Sequence, residues 1–310
     1  VTEQAGSEPP VRHLHADAMQ TLMDLLPPED RGRLSLVDKA QYDFVATQPR
    51  KSPAGEVQQL REGTAGLPYR TLYTQKTLDN ALQAAQPLHF APGAGPAAEV
   101  LVLRHEAVGG EVHLYGGFDQ QPLLRMEGGR CRVEADATIV DLLGGVAHVS
   151  GGTIVNKRSQ SHSEVQDGWI ENMYAGSAGL NGTSWCSTVH GGHVWVCDDA
   201  VVGAVTDGTV ALGERSRLVH ARGGHVEAGG TSLITEVSGG IVHLQSESRI
   251  QMVIGGTVRA YEGSTVDEAT GGVIHAEDGA TVTAYRGATV HLHGTQVNLT
   301  DHGATVIQET

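Results

Sequence analysis

The sequence predicts an all-β protein, a β-solenoid of sixteen-residue, two-strand coils over residues 130–310. A small, mainly helical domain over 1–94 and irregular first coils over 95–129 are expected to precede it. Three observations predict this. Glycine contributes 41 of 310 residues and aromatics only 4 %. Without a three-residue period, that much glycine excludes collagen and points to short strands joined by tight turns. Apolar residues change from helical to alternating spacing near Glu99. From Arg130 the chain then repeats every sixteen residues, the mark of a repeat architecture.

The N-terminal elements follow from periodicity and breakers. Residues 1–10 are polar, with Pro9 and Pro10, and predict no regular structure. Met19, Leu22, Met23 and Leu26 lie at helical spacing within His15–Leu26, which Pro27-Pro28 terminates. Ser35 can cap a second helix to Thr47, with Leu36, Ala40 and Phe44 on one face. A Pro/Gly-rich connection over Pro49–Pro68 leads to a short helix capped by Thr77, through Leu78, Ala81, Leu82 and Ala85, that can cover the front of the solenoid. Beyond Glu99, Val100, Val102, Val112 and Leu114 alternate with polar residues, and Gly-Gly pairs mark turns.

Within the repeat, apolar residues hold constant positions. Counting from the residue after the Gly-Gly pair, position 2 is Val194, Val210, Val226, Val242, Val258 and Ile274, and position 4 is Val196, Leu212, Ala228, Leu244, Ala260 and Ala276. Residues two apart on a strand share a face, so both point inward. Position 10 (Val202, Leu218, Ile234, Ile250, Val266) supplies the opposing sheet. Keeping this phase requires one residue to be missing near Gly179–Gly192. The last six residues, Thr305–Thr310, begin a further coil with an open strand edge, which favours a homo-oligomer through the C-terminal end.

Charge excludes several functions. Lys plus Arg total 21 against 36 for Asp plus Glu, a formal charge of −15 at pH 7. Such a surface repels phosphate, which disfavours nucleic acid and anionic membranes as partners. No apolar run is long enough for membrane insertion as a spanning segment. Cys131, Cys186 and Cys197 form neither a disulfide framework nor a CxxC zinc pattern. The polar start at Val1 is not a signal peptide, so either a targeting segment was removed or the chain is a fragment. No P-loop, Rossmann or Ser/His/Asp pattern is present, and no cofactor is expected.

Candidate sites are aromatic, imidazole and carboxylate groups. All three tryptophans, Trp169, Trp185 and Trp195, fall within one short stretch with Tyr174, beside the amides of Asn172 and Asn181 and the carboxylates of Glu164, Asp167 and Glu171. That combination suits a sugar or a protein loop, although large side chains filling a wider core leave the same pattern. His275 and His291 stack in adjacent coils with His293 on the same face, and His190, His193, Cys186 and Cys197 make a second group with metal-ligand chemistry. Glu236 and Glu268 share position 12 two coils apart, about 10 Å by strand spacing, near the separation an inverting hydrolase uses. The apolar Met252 between them argues for a solvated face instead.

The stretches GGHVEAGGTSLITEVSGGIVHLQS and GGTVRAYEGSTVDEATGGVIHAEDGATV resemble the Gly-Gly repeats of AIDA-like bacterial adhesin passengers over about residues 193–304. The coil is shorter than that family's repeat. TLDNALQAAQPLHFAPG is similar to the capping helix of pectate-lyase-like β-helices and phage tailspikes, although no catalytic residue of theirs can be matched. The resemblance implies a binding or adhesion module, extracellular or on a cell or virion surface, with a glycan or protein ligand. The alternatives are a carbohydrate-active lyase or hydrolase at the same patch or at Glu236 and Glu268, and a structural rod that assembles end to end.

Overall fold

In the computed structural model, the structure describes Asp79, Leu82 and the segments 88–90, 101–105, 112–115, 123–134 and 137–309. The helices expected over 15–26 and 35–47 lie outside the described residues. Asp79 and Leu82 are helical, and Leu82 is buried, as the short helix before Pro87 requires.

Among the described residues, twenty-seven strands alternate between two parallel sheets. Odd-numbered strands, β1 (Leu88–Phe90) to β27 (Thr305–Gln308), form one sheet, and even-numbered strands, β2 (Leu101–Leu103) to β26 (Asn298–His302), form the other. The protein is a β-solenoid, each coil contributing one strand to each sheet. The ladder already includes β1, ahead of the boundary at 94 expected from sequence. Leu88 pairs with Val112 and Val112 with Cys131, so these first coils are longer than sixteen residues and escape the repeat.

The odd sheet follows the expected alternation. On β17 (His225–Ala228) and β19 (Ile241–Leu244), Val226, Ala228, Val242 and Leu244 point into the core, and the residues between point out. Most strands of the even sheet do not alternate. On β18 (Leu233–Val237) and β20 (Arg249–Val253) the buried residues are the second and fifth, Ile234 with Val237 and Ile250 with Val253, and two outward residues separate them. The register steps from Ile234↔Ile250 to Glu236↔Met252 without pairing the residue between. The even-sheet strands from Thr138–Leu142 to Thr265–Ala269 therefore bend at their third residue, which adds a second inward ladder (Val189, Val205, Ala221, Val237, Val253) that simple alternation misses, whereas Thr281–Tyr285 alternates.

Two kinds of turn close the coil. At Gly255-Gly256, a Cβ on Gly255 would stand 2.5 Å from the Ser238 carbonyl oxygen, and Gly256 has φ +78°. The first glycine permits a close backbone approach and the second a left-handed conformation. The opposite turn buries a serine ladder. Ser216, Ser248 and Ser264 donate to the carbonyl three residues earlier at 2.8, 2.7 and 2.6 Å, which satisfies the buried hydroxyls without breaking the core.

The missing residue lies elsewhere than expected. His162 pairs with Ser177, fifteen residues on, while Ser177 pairs with His193 at the regular sixteen. The odd sheet shortens between His162 and Ser177 and the even sheet between Thr138 and Thr153, also fifteen apart, not near Gly179–Gly192, because hydrogen-bond register rather than glycine placement sets the phase. A further shift occurs near the end, where Thr281 pairs with Asn298. Val306 pairs with Val290 in the inward register but is 39 % exposed on the last rung.

Candidate functional site

β10 (Trp169–Met173) and β12 (Trp185–Val189) are neighbours in the even sheet, with Trp169 paired to Trp185 and Asn172 to Thr188. The bend turns Ile170, Met173, Cys186 and Val189 inward and leaves Trp169, Glu171, Asn172, Trp185, Ser187 and Thr188 on the outer side. The indole centroids are 5.7 Å apart, tilted by 31°. At the far end of the same two strands Tyr174 stacks on His190 at 4.9 Å, and the Arg158 guanidinium lies 5.0 Å from the Tyr174 centroid. Two aromatic pairs thus flank a polar floor.

The floor descends along the axis. Glu171–Asn172 is followed by Ser187–Thr188 and then, on β14 (Val201–Val205), by Gly203–Ala204. Each step removes side-chain bulk beside the Trp185 end of the strip. Trp185 Nε1 donates to Ser187 Oγ at 3.2 Å, whereas the buried Trp169 Nε1 has no hydrogen-bond partner. Burial also pushes the Glu171 carboxyl above its ordinary range. The partly desolvated Glu171 carboxyl and the Asn172, Ser187 and Thr188 side chains are the polar groups on the outer side of this strip.

Trp195 is not part of it. It lies on β13 (His193–Val196) of the odd sheet, 51 % exposed, because the chain turns at Gly191-Gly192 between the two sheets. Its rung neighbours are Gly179 and Ala211, and His193 stacks nearby at 6.4 Å. The structure therefore brings Trp169, Asn172, Tyr174 and Trp185 together and places Trp195 on another face.

The remaining candidates separate in the same way. Cys186 is fully buried, and burial pushes its thiol up to about 12, so it cannot join His190, His193 and the exposed Cys197. His275 and His291 stack at 4.8 Å, and His275 Nδ1 lies 2.9 Å from His293 Nε2. Among the described residues, no group of three His, Cys, Asp or Glu side chains is arranged to hold a metal ion. Glu236 lies 3.7 Å from His220, and Met252 separates it from Glu268 in the ladder. Sequence reasoning missed Arg158, Ser187, Thr188 and the Gly203–Ala204 step. Adding the sixteen-residue period once and then twice to Glu171 and Asn172 would have found the last four residues.

No family model matches the chain, and neither a curated protein nor a solved structure shows significant similarity to it.

Proposed function

We propose that this chain is a non-enzymatic binding or adhesion module that recognises a glycan or protein ligand through the strip of Trp169, Asn172, Tyr174 and Trp185. One observation carries the reading: two aromatic pairs on consecutive rungs flank a floor of carboxylate, amide and hydroxyl groups. Aromatic faces take the apolar side of a sugar ring or an interface side chain, and the floor takes its polar groups. Catalysis on a glycosidic bond ordinarily uses two carboxylates, and the floor carries one, Glu171. Presentation on a cell or virion surface fits the adhesin-like repeat.

A screen against immobilised glycans and proteins tests this. Trp169→Ala or Trp185→Ala should abolish the captured interaction, with Trp195→Ala, on the other sheet, leaving it intact. Equal loss in all three variants, or in none, would remove the strip as the binding surface.

A further inference from the structure

Histidine is concentrated on one face. From Arg130 onward, the outward first, third and fifth positions of the odd-sheet rungs hold eight histidines, three arginines and five glutamates, with no lysine or aspartate. That face carries two net negative charges with the imidazoles neutral and six positive with all protonated. The even sheet, by contrast, carries His220 and His302 among its strands.

The surroundings of these imidazoles divide them. His148 and His162 approach Glu164 at 3.2 and 3.7 Å, His225 approaches Glu227 at 3.3 Å, and His291 approaches Glu309 at 2.7 Å. In these, protonation neutralises an existing carboxylate. His243 is flanked by His225, Arg259 and Tyr261. His275 is flanked by Arg259, His291 and His293, with Glu277 nearby. Burial first, then these neighbouring cations, hold both imidazoles below the ordinary histidine range. His193 stands beside the exposed Trp195.

Two exposed apolar side chains sit among them. Trp195 is 51 % and Ile241 48 % exposed, three rungs apart, about 14 Å by strand spacing. Ile241 pairs with His225 and precedes His243 by two residues. A polyanion has no use for such groups, whereas an indole and an aliphatic chain between cations suit the headgroup layer of a bilayer.

We infer that the outer face of the odd sheet is an acid-activated docking surface for an anionic lipid bilayer, bound peripherally through protonated imidazoles with Trp195 and Ile241 as anchors. At neutral pH the chain's charge of −15 holds it off such a surface. Acidification reverses the sign on this face, whereas the even sheet holds His220 and His302 on its strands and His190 at the edge of its aromatic strip. The two surfaces lie on different sheets.

Co-sedimentation of the full chain with phosphatidylcholine vesicles, with and without about 30 % phosphatidylserine, tests this at about pH 7.5 and about pH 5.5. Binding is expected only at the lower pH and only with phosphatidylserine. A cation near an anionic membrane is worth roughly a factor of five in affinity. His148→Gln, His193→Gln and His225→Gln together should therefore weaken binding roughly a hundredfold, and His193→Gln alone about fivefold. His220→Gln should have no effect. Trp195→Ser with Ile241→Ser should also weaken it, with circular dichroism showing each variant folded. Binding at both pH values, no binding at either, or indifference to the histidine or the anchor substitutions would overturn the proposal. Competition by soluble dextran sulfate that ignores the anchors would assign the face to polyanions instead.

Discussion

Lys157 donates hydrogen bonds to the Ser161 carbonyl oxygen at 2.6 Å and hydroxyl at 2.8 Å from within the aliphatic ladder that runs from Leu142 to Met173. Its side chain is fully buried, and burial lowers its ammonium from 10.5 to about 8. It stands at the turn one residue longer than its successor, and its amine fills the extra space with hydrogen bonds.

This predicts a pH dependence with a definite sign. Between about 8 and 10.5 the unfolded chain holds a proton that the folded chain has lost, so stability rises with pH across that window. Below it the buried charge costs its full penalty, on the order of 3 kcal/mol. Lys157→Met should raise stability near neutrality by about 1–3 kcal/mol and flatten the alkaline rise. Urea unfolding at several pH values measures both, and an unchanged slope in the variant would sink the assignment.

A second prediction concerns the serine ladder. Ser248→Ala removes a buried 2.7 Å bond to the Gln245 carbonyl and should cost about 1 kcal/mol. Ser232→Ala should be neutral or stabilising, because the buried Ser232 hydroxyl has no partner. Ala200 and Ala280 already occupy the equivalent position in other coils. Paired melting curves decide the matter, and equal costs would refute it.

A third separates the two roles of glycine. Gly256 and Gly303 have φ +78° and +94°, but a Cβ on Gly256 would stand 2.9 Å from the Gly239 carbonyl carbon, while one on Gly303 meets nothing within 4 Å. Gly303→Ala should therefore cost only the strain of the left-handed backbone, roughly 1 kcal/mol. Gly256→Ala adds the clash and should cost more. Similar losses in thermal unfolding would mean that the coils shift freely.

A fourth tests the inward register. Val258 is fully buried between Val242 and Ile274 in adjacent rungs. Val258→Asp places an unpaired carboxylate there at several kcal/mol, and neighbouring coils depend on one another. Cooperative unfolding or soluble expression should be lost, and an unchanged melting temperature would place the side chain outside.

By itself the sequence determined the sixteen-residue period, the inward ladders at positions 2, 4 and 10, and the Gly-Gly turns. These follow from the alternation of a straight strand and from backbone conformations that only glycine adopts readily. Only the tertiary structure decided the bend of the even strands, which turns the fifth residue inward and opens a two-residue polar floor between Trp169 and Tyr174. It also decided where the coil shortens, because pairing between rungs selects the register and several turns can absorb one residue. Neighbours in sequence such as Trp185 and Trp195 end on different sheets because a glycine turn lies between them. Histidines far apart in sequence, such as His148 and His291, share one face because parallel stacking repeats the same outward position rung after rung.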